Sequence, residues 1–235
     1  MFKKIAITLI VPLLMIHSCQ GDREPLPGPP DTYLIFYNNL LESYDLQWEI
    51  DEVVIGSDHS YGVRDQAYVH LVFEEQEVFI RTRNSENHLL IDSLYCFMGV
   101  GGNYMIAIMG TEENPNLICE PMEIWITGDV KFRFLNTSEA MGPVDIYIGG
   151  DQAEHRALTA LDYTQVSEYL YATEEEIETS IIVTPANSLP SDSSILEYKS
   201  NSIFQSPGIY LCILEHDSSS NESPYQIQVD LQPRF

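Results

Sequence analysis

The sequence predicts an all-β fold: two tandem antiparallel β-sandwich domains behind a short apolar leader and a proline-rich spacer. Three observations carry this. Apolar residues past residue 31 recur with a period of two, helical spacing is scarce, and the second half of the chain repeats the pattern of the first.

The alternation is direct. Leu46, Trp48 and Ile50 alternate with Gln47 and Glu49, and Val130, Phe132 and Phe134 alternate with Lys131 and Arg133. Val144, Ile146 and Ile148 form another such set, as do Tyr225, Ile227, Val229 and Leu231. Successive strand residues point to opposite faces, so each set is one buried face. The one stretch with helical composition, ATEEEIE at 172–178, is a single short run that passes into the strand-like TSIIV.

The repeat is equally direct. IFYNNLLESYDLQWEI, ending at Ile50, matches RFLNTSEAMGPVDIYI, ending at Ile148. YGVRDQAYVHLVFEEQEVFIRTRNS matches YTQVSEYLYATEEEIETSIIVTPANS, and GNYMIAIMG matches GIYLCILEH. The spacing between matched residues drifts in one direction, from 98 (Asn38 to Asn136) to 106 (Tyr104 to Tyr210). Loops that gain a few residues produce such a drift. Each unit then holds about seven short strands in roughly 100 residues, the signature of a sandwich with Greek-key connections. Tyr104 and Tyr210 enter strands just after a glycine, and their hydroxyls are expected to reach a backbone partner. The predicted organisation is a leader at 1–18, a spacer at 19–30, and domains at 31–128 and 129–235. The short ITGDVKF segment between the domains restricts their relative orientation.

The leader explains how such a body is delivered. Lys3 and Lys4 precede an apolar stretch, Ile5 to Ile16, too short for a membrane span of about 20 residues and right for a secretory signal. It ends Ile16-His17-Ser18-Cys19, which resembles the lipobox of bacterial lipoproteins. The resemblance implies acylation of Cys19 and anchoring in the cell envelope, in the outer membrane, facing the periplasm or the exterior. Stable anchoring takes more than one chain, which a multiply acylated cysteine supplies. Pro25, Pro27, Pro29 and Pro30 then favour an extended, semi-rigid spacer.

Composition excludes some partners. The formal charge is −25, so the surface repels nucleic acid and anionic lipid headgroups. A lipidated Cys19 leaves Cys96, Cys119 and Cys212, an odd number, so at least one thiol stays free. Cys96 and Cys212 lie in apolar runs and read as small buried hydrophobes, with a Cys96–Cys119 disulfide as the alternative.

The sequence carries no catalytic signature. There is no nucleophile elbow and no metalloprotease helix. The histidines are scattered without ligand spacing, so no metal and no cofactor is expected. Gly99-Val100-Gly101-Gly102 leads into a strand and reads as a hairpin turn that needs positive φ. The acidic loop at 216–223 lacks the order of a calcium loop. Candidate contact residues for a glycan or protein partner are Trp48, Trp125 and Tyr147, which lie on strands. Trp125 and Tyr147 alternate against core positions, which turns them towards the seam between the domains or towards solvent.

The second unit also carries motifs of a known family. FRFLNTSEAMGPVDIYIGG, LDYTQVSEYLYATEEEIETSIIVTPANS and GIYLCIL resemble the bacterial domain of unknown function 4397. That resemblance implies an Ig-like sandwich, secreted or lipid-anchored, often in tandem, with no established activity. The first unit has YDLQWEI where the second has PVDIYI. The function expected is therefore non-enzymatic: a lipid-anchored envelope protein acting as a binding or structural module. The alternatives are a fimbrial or adhesin subunit and a glycan-binding surface lipoprotein.

Overall fold

The computed structural model describes residues 31–41, 45–123, 130–173, 180–193, 195–198, 204, 208–216 and 225–231. The leader, Cys19, the spacer, Trp125, the 128/129 boundary, the 174–176 acidic run and most of the 216–223 loop lie outside them. Regular structure among the described residues is almost entirely β, and the fold is an all-β, sandwich-type arrangement of four-stranded sheets.

The strands are β1 (Thr32–Leu40), β2 (Leu46–Ile50), β3 (Val53–His59), β4 (Arg64–Val69), β5 (Glu75–Asn84), β6 (Leu90–Gly99), β7 (Asn103–Thr111) and β8 (Asn114–Pro121). They continue as β9 (Val130–Asn136), β10 (Val144–Ile148), β11 (Arg156–Leu161), β12 (Leu170–Ala172), β13 (Ile181–Pro185), β14 (Leu196–Tyr198), β15 (Gly208–His216) and β16 (Tyr225–Leu231). The first eight form sheets β4-β1-β7-β8 and β3-β2-β5-β6. The next eight form β12-β9-β15-β16 and β11-β10-β13-β14, the same two orders with every label raised by eight. In each half the first and seventh strands pair in parallel, and the other pairings are antiparallel. Among the described residues each half thus shows eight strands where the alternation predicts about seven. Short edge strands such as β12, of three residues, carry too little alternation to register.

Three apolar layers lie between the four sheets. Leu34, Phe36, Leu46, Trp48, Ile80 and Ile106 belong to a core between the two sheets of the first half. Phe132, Phe134, Ile146, Val183, Tyr210 and Cys212 do the same in the second. The third layer joins the halves: Tyr33, Ile35, Tyr37, Met105, Ala107 and Met109 meet Leu135, Leu211 and Ile213. This layer explains why β1 is buried at every position and not at alternate ones. Its even residues face their own core, while Tyr33, Ile35 and Tyr37 face the other half. A strand covered on both faces reads as a continuous apolar run.

The seam also swallows charge. Lys131 and Arg133, the polar face of β9, are 2% and 8% exposed. Lys131 Nζ pairs with Glu123 and lies 4.5 Å and 5.0 Å from the ring centroids of Tyr169 and Tyr171. Burial alone lowers an ammonium pKa, but Glu123 and Tyr171 outweigh it and hold Lys131 above the ordinary lysine value. Arg133 Nη1 donates to Pro121 O at 3.0 Å, Nε donates to Ser167 O at 3.2 Å, and its guanidinium lies 4.9 Å from the Tyr169 centroid. Farther along, Tyr37 Oη donates to Asp230, which Arg64 Nη1 also reaches at 2.6 Å. Every one of these cations has an oxygen partner, as a buried charge requires.

Candidate functional site

The exposed side chains that stand out lie on the outer face of sheet β3-β2-β5-β6. In β6, Leu94, Cys96 and Met98 point inward, so Tyr95 and Phe97 must point out. They are 64% and 72% exposed. The register places Phe79 of β5 opposite Tyr95, and their rings stack at 4.5 Å between centroids with 25° between planes. The Arg81 guanidinium lies 5.0 Å from the Phe79 centroid. Arg81 is itself positioned by Glu49, whose Oε2 is 3.2 Å from Arg81 Nε and whose Oε1 accepts from Arg83 Nε at 2.9 Å. The result is a ladder of guanidinium, phenyl and phenol rising towards a free sheet edge.

That edge borders a cleft. β6 and β8 are the terminal strands of their sheets. Between them lies an opening of about 520 Å³, with Tyr95 and Phe97 on one wall and Ile118, Glu120 and Pro121 on the other. Its floor is the Cys96–Cys119 disulfide, which ties the two edges together with Cα atoms 6.2 Å apart. Asp92 Oδ2 accepts from Leu117 N at 2.9 Å and makes a second tie. Such a carboxylate satisfies an edge amide that would otherwise invite another strand.

The residues singled out in the sequence fall elsewhere. Trp48 is fully buried, its ring 5.0 Å from Phe36 inside the first core, so it offers no contact surface. Tyr147 is equally buried, and it lies on β10, away from the seam to which its alternation assigned it. Its hydroxyl donates to Ser188 O at 2.8 Å and accepts from Arg156 Nε at 2.7 Å. The neighbouring Asp145 is also fully buried and accepts from Ala160 N at 2.8 Å and Asn187 N at 3.0 Å. Both amides belong to residues with positive φ. The Pro143-Val144-Asp145-Ile146-Tyr147 motif is thus a clamp on two turns. Cys96, read first as a buried thiol, is joined to Cys119. Cys212 is the buried free thiol, and burial pushes its pKa up, away from the reactive thiolate.

Two turn expectations take concrete form. Gly101 adopts φ 69°, and Tyr104 Oη accepts from Gly99 N at 2.8 Å across the same turn. Among the described residues no group of three or more His, Cys, Asp or Glu side chains is placed to hold a metal ion, and no helix is long and apolar enough to cross a membrane.

Sequence alone could have pointed to the aromatic edge. In LYCFM, an inward Cys96 puts Tyr95 and Phe97 outward by the strand period. Reading the run as uniformly apolar hid that. No protein-family model matches the chain, and no curated protein is significantly similar to it in sequence.

Proposed function

We propose that this protein is a non-enzymatic, lipid-anchored module of the cell envelope that works by contact. One observation carries the reading: a buried seam joins the halves through their inner sheets while an aromatic edge is left open to solvent. An enzyme needs titratable groups converging on a cleft, whereas this cleft presents rings, a disulfide and a rim carboxylate. Aromatic side chains supply large contact area at low entropic cost, which suits recognition.

The lipobox-like Ile16-His17-Ser18-Cys19 supports the anchor, and the proline-rich spacer supports a body held off the lipid surface. The net charge of −25 argues against nucleic acid as the partner. The likeness of the second half to the bacterial domain of unknown function 4397 fits the same setting. Metabolic labelling with a radioactive fatty acid tests the anchor. Wild-type chain takes up label and Cys19→Ala does not. A wild-type chain without label overturns it.

Strand donation between copies, as in fimbriae, is disfavoured at this cleft. A strand inserted between β6 and β8 needs neighbours about 4.8 Å away on each side, so its flanking strands must stand roughly 9.5 Å apart. At the disulfide they stand 6.2 Å apart.

A further inference from the structure

We propose that the cleft beside β6 binds a neutral carbohydrate, with one sugar ring lying on the open face of Tyr95 and Phe97 beside it. This deepens the contact-module reading and rests on it.

Phe79 covers one face of the Tyr95 ring, yet Tyr95 remains 64% exposed, so its other face is available. A pyranose presents a face of C–H groups with slight positive character, and an aromatic face is negative, so the two attract on contact. The platform is pre-set. Phe79 supports Tyr95 from behind, Arg81 lies over the Phe79 ring, and Glu49 holds Arg81. Little rotamer freedom remains to be lost on binding, which favours affinity.

The rim suits hydroxyl groups. Glu120 is on the opposite wall, 40% exposed, with one carboxylate oxygen 3.3 Å from Arg133 Nη2 and the other without a partner among the described residues, and Glu77 lies across the ladder from Phe97. Carboxylates accept hydrogen bonds from sugar hydroxyls and repel phosphate, sulfate and uronate. Arg81 and Arg83 share Glu49 and Arg133 pairs with Glu120, so none of the three is an unpaired cation, and the net charge of −25 keeps the surroundings unfavourable to anions. A neutral sugar follows. A peptide strand is the competing occupant, and the 6.2 Å spacing at the disulfide excludes it from the cleft floor.

The test is affinity electrophoresis of the purified full chain in detergent, through gels containing dextran, mannan, laminarin, xyloglucan or galactan. At least one of these retards the wild type. Tyr95→Ala weakens that retardation at least tenfold, Phe97→Ser weakens it severalfold, and Tyr95→Trp retains it. Tyr68→Ala removes an exposed ring on another strand and changes nothing. The circular dichroism of each variant matches wild type, since these rings stand outside the cores. Migration unaffected by all five polysaccharides overturns the proposal, and so does retardation that survives Tyr95→Ala. If the sugars fail and a photo-crosslinker at position 97 captures a protein, the carbohydrate falls while the contact-module reading stands. Failure of fatty-acid labelling strikes the anchor alone.

Discussion

Removing the Cys96–Cys119 bridge by Cys96→Ala with Cys119→Ala is the perturbation whose size the structure fixes best. The two cysteines are 23 residues apart in sequence. Closing a loop of that length removes about 11 cal/mol/K of unfolded-chain entropy, or about 3.4 kcal/mol at 25 °C. The lost packing is small, because Cys96 is only just buried and Cys119 is partly exposed. The double variant is therefore expected to unfold with about 3 kcal/mol less stability. Denaturant titration followed by tryptophan fluorescence reads this well, since Trp48 reports the first core directly. The midpoint should fall, and dithiothreitol should shift the wild type towards the variant while leaving the variant unchanged. A loss under about 1 kcal/mol, or three titratable thiols in denatured, unreduced chain carrying Cys19→Ser, would refute the reasoning.

Other perturbations follow from particular contacts. Trp48→Ala empties the centre of the first core and should cost about 3–5 kcal/mol in a denaturant titration followed by far-ultraviolet circular dichroism. Asp145→Ala leaves two turn amides, Ala160 N and Asn187 N, without their buried carboxylate acceptor, and should cost about 2 kcal/mol, with faster hydrogen exchange at both. Gly110→Ala forces a side chain into φ 98°, with its Cβ 2.4 Å from Asn114 O, so about 2 kcal/mol or more should be lost. Lys131→Met tests the buried cation through pH. The folded pKa of Lys131 lies above its unfolded value, so its contribution is complete below the ordinary lysine range and fades as pH rises through the folded value. The stability gap between wild type and Lys131→Met should hold steady at neutral pH and shrink in strong alkali. A gap that widens there contradicts the assignment.

The strands were legible because their period is local. Leu46, Trp48 and Ile50 alternate within five residues, and the order of matches across the repeat survived loop growth. The seam was not legible for the opposite reason. Lys131 and Arg133 look like a solvated face until Tyr169, Tyr171 and Glu123 arrive from other segments to cover them. Burial of a charge depends on distant partners, which no window of sequence contains. Trp48, by contrast, was legible: it shares a face with Leu46 and Ile50, which the period turns inward, and a contact role for it conflicts with that period. Its packing against Phe36 agrees with the period. Tyr147 shows how a surface-like tyrosine becomes structural once Arg156 and Ser188 close around its hydroxyl. The aromatic edge was partly legible, since Tyr95 and Phe97 flank an inward cysteine. Its partner Phe79, stacked from the neighbouring strand, required the register.

The buried layer of Tyr33, Ile35, Met105, Leu211 and Ile213 is expected to make the two halves tumble as one rigid body. Nitrogen-15 relaxation on a chain beginning at Gln20 measures this most directly. One rotational correlation time shared by β2 and β5 of the first half and β10 and β13 of the second is the expected result. Two shorter, separate times, one for each half, contradict it.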